Sequence, residues 1–242
     1  MIKKGGASLL DLIYPPHCAL CEERLATEER GGVCLRCFSQ IPKNSPPFCP
    51  SCGRQYAGSK SAPRCGMCEG KHFPFDRLWF VAPYEGALRE MLHALKYGGR
   101  RPLANSLAQL LLTFAKKEFH PFAFEDVLPV PLERRKERER GFNQSALLAK
   151  ALAEALTIPF SSGNLIRVRA TVPQASLPRE KRFENVRGAF RVRNPSLYAG
   201  KSLLLVDDIV TTGATLSACG EALRTAGAKE ISIVALARGL AG

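Results

Sequence analysis

Four Cys-x-x-Cys pairs in the first third of the chain constrain its fold more than any other feature. Stretches of 12, 11 and 12 residues separate the successive pairs, which are Cys18/Cys21, Cys34/Cys37, Cys49/Cys52 and Cys65/Cys68. A Cys-x-x-Cys turn directs two thiolates towards one point, so two such turns about a dozen residues apart supply the four corners of a tetrahedral zinc site. We therefore predict two structural zinc ions, each held by four cysteines, in an N-terminal zinc-ribbon module spanning residues 1–74.

The spacing leaves open which pairs share a metal. Neighbouring pairs would form two successive ribbons, whereas alternate pairs would form a cross-braced module, and we expect the successive ribbons. Iron–sulfur clusters and redox dithiols are the alternative uses of such turns. Neither His17 nor His72 is needed as a zinc ligand. The ninth cysteine, Cys219, lies alone in a helical pattern and is predicted to be a small packing residue.

Length and composition predict a globular protein. At 242 residues and 45% hydrophobic content, the chain can hold one medium domain and one small one around a real core. No apolar run approaches the roughly 18 residues that a membrane helix needs, and the first apolar stretch is too short for a secretory signal and contains an acid. We expect no membrane span and a cytoplasmic location, where thiols stay reduced.

Strand and helix patterns alternate after the cysteine-rich part. The predicted strands are RLWFVAPY, DVLPVP, SLLLVDD and EISIVALA, and the predicted helices are GALREMLHALKY, PLANSLAQLLLTFAKKEF, NQSALLAKALAEALT and GATLSACGEALRTAG. Asn143 is predicted to cap the third helix, and the stretch LERRKERERGF before it is predicted to be a charged loop. The alternation indicates an α/β domain with a parallel sheet over residues 75–242.

Two adjacent acids, Asp207 and Asp208, end the strand SLLLVDD with no basic residue beside them in the sequence. Ligands bind at the carboxyl ends of the strands in such a sheet. The following TTGAT can wrap a phosphate, because the N–H groups that open the next helix are free and Gly213 lets the chain approach closely. Acids beside a phosphate cradle suit a sugar phosphate, whose hydroxyls they can bind, and the spacing of a Walker loop is absent.

The stretch LLLVDDIVTTGATL resembles the phosphoribosyl pyrophosphate (PRPP) signature of type I phosphoribosyltransferases. The resemblance implies that Asp207 and Asp208 contact the ribose hydroxyls and are the candidate catalytic residues, and that residues 211–215 contact the 5′-phosphate. Magnesium would accompany PRPP, since the departing pyrophosphate needs cationic groups. The PRPP-binding residues implied here are Val206, Asp207, Asp208, Thr211, Thr212, Gly213, Ala214 and Thr215.

Nearly the full length resembles the ComF/GntX-like competence protein family. The resemblance rests on the tandem Cys-x-x-Cys pairs ahead of PVPLERRKERERGFNQS and TVPQASLPREKRFENVRGAF, and on the PRPP motif near the end. It implies a zinc-binding N-terminal module, a phosphoribosyltransferase-like domain and a competence helicase as a partner. In naturally transformable bacteria it implies a role in handling incoming single-stranded DNA.

The same resemblance assigns the two middle segments. The first would hold the pyrophosphate, with Arg140, Gly141 and Asn143 nearest the ligand. The second, at about residues 160–194, would be a flexible hood that closes over PRPP and excludes water. The hood residues that recur in family order or add charge are Thr171, Gln174, Arg179, Lys181, Arg182 and Asn185.

The hood is also the most basic part of the chain. Eight Arg or Lys residues against two Glu lie between Asn164 and Asn194, and the formal charge of +13 falls only to about +9 when two zinc centres with four thiolates each are counted. Such a density attracts polyanions such as nucleic acid, although a charged run can also be a solvated face. Phe183 and Phe190 could stack on bases there or pack in the core.

Two functions of different classes follow. The first is a ComF-like protein that handles single-stranded DNA and has a PRPP-binding domain. The alternative is an orphan type I phosphoribosyltransferase that acts on an unknown small-molecule acceptor. The acids and the TTGAT loop favour ligand binding under both, whereas the zinc module and the basic hood favour the first. No residue pattern marks an acceptor pocket, so the sequence leaves turnover open.

Overall fold

The computed structural model describes residues 15–26, 31–56, 64–120, 123–172, 174, 177–178 and 180–239. One turn of helix lies in the described portion of the cysteine-rich part. After it, the predicted strands and helices occur in the predicted order, together with short elements that the sequence analysis did not predict. In chain order they are α1 (Leu35–Ser39), β1 (Arg77–Pro83), α2 (Gly86–Tyr97), α3 (Leu103–Glu118), β2 (Asp126–Pro129), α4 (Arg134–Arg140), α5 (Gln144–Leu156), β3 (Leu165–Arg167), α6 (Lys181–Val186), β4 (Phe190–Val192), β5 (Ser202–Val210), α7 (Ala214–Thr225) and β6 (Glu230–Arg238).

A four-stranded parallel sheet in the order β1-β6-β5-β2 forms the centre of the fold. Both of its faces are covered, which explains why β5 and β6 read as nearly continuous apolar runs. Helices α2, α3 and α5 pack on one face, whereas α7 and the antiparallel pair β3–β4 pack on the other. The predicted α/β fold with a parallel sheet is confirmed.

The second ribbon covers the outer edge of β1. The backbone N–H of Asn44 donates to the Val81 carbonyl at 2.8 Å, and the Leu78 N–H donates to the Pro50 carbonyl at 2.7 Å. Gly53 permits this close approach, because its φ is +70° and a Cβ there would lie 2.8 Å from the Leu78 carbonyl oxygen. An edge that would otherwise expose unpaired backbone groups is therefore protected.

The first ribbon packs on α3. Ser106 Oγ donates to the Gly31 carbonyl at 2.9 Å, and the buried side chains of Leu25 and Ile41 belong to the same apolar cluster as Leu107. The first ribbon therefore shares a core with the α/β domain, whereas the buried cysteines of the second form a separate cluster. The boundary between residues 74 and 75 stays a prediction.

The predicted loop LERRKERERGF is wrong, since residues 134–140 form α4. The helix buries none of its side chains, so it shows no apolar periodicity. Its Arg, Lys and Glu residues are strong helix formers, and Arg135 pairs with Glu139 one turn later at 2.8 Å. Gly141 ends the helix in the left-handed conformation, with φ of 77°.

The predicted cap of the next helix is confirmed. Asn143 accepts a hydrogen bond from the Ser145 N–H at 3.0 Å, and α5 begins at Gln144. Across the described ranges, no helix combines the length and the apolar character that crossing a membrane requires.

Candidate functional site

An open cleft of about 860 Å³ lies at the carboxyl ends of β5 and β6. The structure brings the two acids and the loop after them together with part of the hood. Tyr84, just after β1, and two residues of α2 also line the cleft, and the sequence analysis did not predict them. The lining residues are Tyr84, Arg89, Lys96, Gln174, Leu177, Pro178, Arg182, Asp207, Asp208, Ile209, Val210, Thr211, Thr212, Gly213, Ala214, Thr215, Leu216 and Gly239.

Asp207 is buried and accepts two hydrogen bonds on one oxygen. Ser145 Oγ of α5 and the backbone N–H of Asp208 both donate to Asp207 Oδ1, each at 2.9 Å. Burial and, after it, the negative charge of Asp208 raise the pKa of Asp207 to about 8, although the Ser145 hydrogen bond acts in the opposite direction. The surroundings of Asp207 therefore favour its neutral form.

Asp208 has a cationic partner, Lys96 of α2, and the two side chains are 7% and 13% exposed. Burial by itself would raise the pKa of Asp208, but the Lys96 ammonium outweighs it and the pKa is lowered. Gln144 adds a hydrogen bond that acts in the same direction. The pKa values of the two adjacent acids are thus shifted in opposite directions.

Lys96 was missed by the sequence analysis. It lies in the last turn of α2, far from the acids along the chain. In the sequence, Lys96 is recognisable only as the basic residue of that turn. A basic residue at the end of a helix does not indicate a ligand site.

The loop at residues 211–215 leads from β5 into α7. Gly213 precedes the helix with φ of 85°, and Thr212 Oγ1 accepts a hydrogen bond from the Ala214 N–H at 3.4 Å. Nothing lies within 4 Å of the position that a Cβ on Gly213 would take, so the left-handed backbone conformation, not crowding, is the reason for glycine here. The first N–H groups of a helix lack intrahelical partners, and here they border the cleft.

The hood lies on the other side of the cleft. Gln174 and Arg182 line it, and they also contact one another, since Gln174 Nε2 donates to the Arg182 carbonyl at 3.3 Å. The Asn185 amide is engaged inside the hood, where it bonds to the backbone N–H and carbonyl of Val172 at 3.1 and 2.9 Å. Lys181 is exposed at the start of α6 and does not line the cleft.

Three further expectations for the hood have different outcomes. Phe190 is buried in the core, whereas Phe183 is 48% exposed. Thr171 Oγ1 accepts a hydrogen bond from the Arg167 guanidinium. Arg179 lies outside the described residues, so its predicted role stays a prediction.

The predicted pyrophosphate residues are not brought into the cleft lining. Arg140 stacks on the Tyr97 ring with Cζ 5.0 Å from its centroid, and Gly141 lies against Arg101. Asn143 is buried and donates to the Val130 carbonyl at 3.0 Å in addition to capping α5. A role for Arg140, Gly141 and Asn143 in holding pyrophosphate stays a prediction.

The eight paired cysteines form two clusters of four, and in each cluster all the sulfur atoms lie within 4.8 Å of one another. The first joins the pairs at Cys18 and Cys34, and the second joins the pairs at Cys49 and Cys65, which confirms successive ribbons. The Cys21–Cys34 and Cys52–Cys65 sulfur separations are 3.6 and 3.7 Å. Four sulfurs at about 2.3 Å from one zinc ion lie about 3.8 Å apart, so both clusters fit structural zinc.

The thiols of each cluster differ in pKa. Burial would raise the pKa of Cys18, but N–H groups of Cys34, Cys21 and Leu20 lower it to about 6. Backbone donors likewise lower the pKa of Cys49 to about 7, whereas burial raises the pKa of Cys37 to about 12 and that of Cys52 to about 11. Thiolates are the form that binds zinc. Cys219 is fully buried among apolar side chains, as its predicted packing role requires.

Two family models match successive parts of the chain. The first, described as a double zinc ribbon domain, matches residues 9–69, and the second, a phosphoribosyl transferase domain, matches residues 143–242. Among solved structures, adenine phosphoribosyltransferase from Saccharomyces cerevisiae is similar over 57% of this chain and 69% of that chain, at 19% identity and a TM-score of 0.36. A match with so low a TM-score and sequence identity supports no argument about the site.

Curated relatives align over nearly the whole chain. The chain is 36% identical over 232 residues to DNA utilization protein YhgH of Salmonella typhi, covering 95% of this chain and 100% of that protein. It is 30% identical over 213 residues to Competence protein F of Haemophilus influenzae, covering 86% and 91%. With the zinc-ribbon and phosphoribosyltransferase models matched in order, the chain belongs to the ComF/GntX-like competence protein family.

Proposed function

We propose that the cleft binds PRPP or a closely related ribose phosphate together with Mg²⁺, in a cytoplasmic protein that handles single-stranded DNA. The observation that supports the ligand is the meeting of Asp207, Asp208 and residues 211–215 in one cleft. The names of the relatives, DNA utilization protein and Competence protein F, support the DNA role.

Each part of the cleft suits one part of such a ligand. The ionised Asp208 can accept hydrogen bonds from ribose hydroxyls, and residues 211–215 can hold the 5′-phosphate with helix N–H groups and threonine hydroxyls. The buried Asp207 accepts a hydrogen bond from Ser145 and so links β5 to the start of α5. Bound Mg²⁺ would neutralise the pyrophosphate.

Three cations extend the site beyond the acids. Arg89, Lys96 and Arg182 line the cleft. Within the described ranges Lys96 forms an ion pair, and Arg89 and Arg182 form none. Their charges suit the phosphates of the ligand. Ribose hydroxyls that approach Asp208 must share its carboxylate with Lys96 or displace it, which would free the ammonium for a phosphate.

Closure of the hood would exclude water from the ligand. Its exposed Lys181, Arg187 and Arg193 supply positive charge for a DNA backbone. A competence helicase is the protein partner that we propose from the family resemblance.

The second candidate is turnover of PRPP with a small-molecule acceptor. The paired acids and the three cations favour it, because an oxocarbenium-like ribose needs negative charge nearby and its leaving group needs positive charge. The test combines product analysis of PRPP with candidate acceptors and a titration with single-stranded DNA. Pyrophosphate release that requires an acceptor would support the transferase, whereas DNA binding without release would support the handling protein.

A further inference from the structure

An exposed surface of arginine and aromatic side chains lies beside the cleft. It is formed by Tyr97, Arg100, Arg101, Arg140 and Phe142, and we call it the Tyr97 platform. Tyr97 is 67% exposed, so its ring is accessible from solvent. The Arg140 Cζ lies 5.0 Å from the Tyr97 centroid, and the Arg101 Cζ lies 5.3 Å from the Phe142 centroid.

The arrangement of the platform is fixed by hydrogen bonds. Arg140 Nη1 donates to Gln144 Oε1 at 3.0 Å, and Arg140 Nη2 donates to Tyr97 Oη at 3.4 Å. The His93 ring lies 4.9 Å from the Tyr97 ring, centroid to centroid. Aromatic and guanidinium planes are therefore held next to one another at the surface.

The positive charge of the platform is not neutralised. In the described part of the chain, none of the ion pairs includes Arg100, Arg101 or Arg140. Arg100 and Arg101 are exposed in the turn that follows α2. A polyanion could therefore be bound without breaking an existing pair.

The platform adjoins the acids of the cleft. Gln144, which accepts the hydrogen bond from Arg140, is also close enough to Asp208 to lower the pKa of its carboxyl. Lys96, the residue before Tyr97, contacts the same carboxylate. A ligand on the platform would thus be within two side chains of Asp208.

We propose that the Tyr97 platform binds single-stranded nucleic acid, with a base stacked on Tyr97 and backbone phosphates on Arg100, Arg101 and Arg140. This inference rests on the proposed DNA handling and adds a stacking contact on the α/β domain to a hood that contributes charge. Stacking on an exposed aromatic ring needs an unstacked base, which a duplex does not offer. Arginine beside the ring adds phosphate and cation–π contacts that do not depend on sequence.

The test compares variants on two strands of equal length, a fluorescein-labelled oligothymidylate and an abasic strand. Tyr97→Leu keeps apolar area but removes the ring, and Tyr97→Phe keeps the ring. Leu197→Ala is the control, because it removes an exposed apolar side chain outside both the platform and the hood. We expect Tyr97→Leu to weaken oligothymidylate binding between about 5-fold and 150-fold, with no change on the abasic strand. Tyr97→Phe should keep the wild-type affinity, as should Leu197→Ala.

Arg100→Gln combined with Arg101→Gln should weaken binding to both strands, and should make the salt dependence shallower by about 0.7 for each phosphate that the variant no longer neutralises. Wild-type affinity of Tyr97→Leu for oligothymidylate would overturn the inference, as would equal reductions in affinity on the two strands or tighter binding of a duplex. A wild-type protein that binds no strand at low salt would overturn the DNA-handling proposal as well. The PRPP-induced melting shift of Tyr97→Leu should equal that of wild type, which shows that the variant is folded.

Discussion

Lys96 of α2 ion-pairs with Asp208 at the end of β5, and both side chains are almost fully buried. The pair lowers the pKa of Asp208, whereas burial and the charge of Asp208 raise the pKa of Asp207 beside it. Two adjacent carboxyls would repel one another if both were charged. One cation from a distant helix therefore sets the charge state of the cleft.

Lys96→Met should destabilise the protein strongly, because it leaves the Asp208 carboxylate buried without its cation. Removing one partner of a buried pair costs about 3–5 kcal/mol. Urea denaturation at pH 7 measures this, and the destabilisation should shrink at lower pH as Asp208 becomes protonated. Lys150→Met is the control, since the Lys150–Glu154 pair is exposed and should contribute less than about 1 kcal/mol. Equal destabilisation by the two variants would contradict the prediction.

The dependence of the unfolding free energy on pH should reveal the titration of the Asp207 carboxyl. Its pKa is about 8 in the folded protein and about 3.9 in an unfolded chain, so the folded state binds more protons between these values. Stability contributed by this group is present below pH 4 and is lost as pH rises towards 8, by at most roughly 1.4 kcal/mol per pH unit.

Asp207→Asn keeps the acceptor oxygen for Ser145 and removes the titration. The variant should be more stable than wild type at pH 7, and its unfolding free energy should vary less between pH 5 and 8, as measured by urea denaturation at several pH values. Ser145→Ala serves as the control for removal of the hydrogen bond alone. If the unfolding free energy of Asp207→Asn depends on pH as steeply as that of wild type, Asp207 is ionised in the folded wild-type protein over this pH range.

PRPP with Mg²⁺ should raise the melting temperature, because a ligand that binds only the folded state stabilises it. Asp208→Ala should abolish most of this shift, and Asp207→Ala should have a similar effect. Differential scanning fluorimetry measures both, with pyrophosphate and ribose 5-phosphate as partial ligands. If millimolar PRPP leaves the melting temperature of the wild-type protein unchanged, PRPP is not the ligand of the cleft.

Metal analysis of protein purified without added zinc should find about two zinc ions per chain. Removal of zinc by a strong chelator should lower the melting temperature of the whole protein, because Asn44 and Pro50 bond to the edge of β1 and Leu25 and Ile41 share a core with α3. Circular dichroism in the far ultraviolet follows the helices during chelation. Iron in place of zinc would contradict the metal assignment, and an unchanged α/β transition would contradict the structural coupling.

DNA binding through the hood should weaken steeply with salt, since each phosphate neutralised on a single strand adds about −0.7 to the slope. Lys181→Glu combined with Arg182→Glu should weaken binding and make the slope shallower, whereas Asp207→Ala should bind DNA as wild type does. Saturating PRPP should change DNA affinity by the same factor by which DNA changes PRPP affinity. If the hood variants bind DNA as tightly as wild type, the cations that contact the DNA phosphates lie on another surface.

The local features of this protein could be predicted from its sequence. The spacing of the cysteines indicated two four-cysteine metal sites, and apolar periodicity indicated β1, β2, β5 and β6 and the helices α2, α3, α5 and α7. The cap at Asn143 and the loop at residues 211–215 were recognisable as short motifs. Each of these features depends on residues that are close together in the chain, so a few neighbouring positions determine it. The helix α4 escaped prediction because it buries no side chain.

Tertiary structure decided the contacts between distant elements. The pairing of Lys96 with Asp208, the hydrogen bond from Ser145 to Asp207 and the docking of Asn44 on β1 join residues that no spacing relates. The stacking of Arg140 on Tyr97 belongs to the same class. Such contacts arise only when the sheet and its covering layers pack together, because burial then determines which polar groups must meet and which charges remain at the surface.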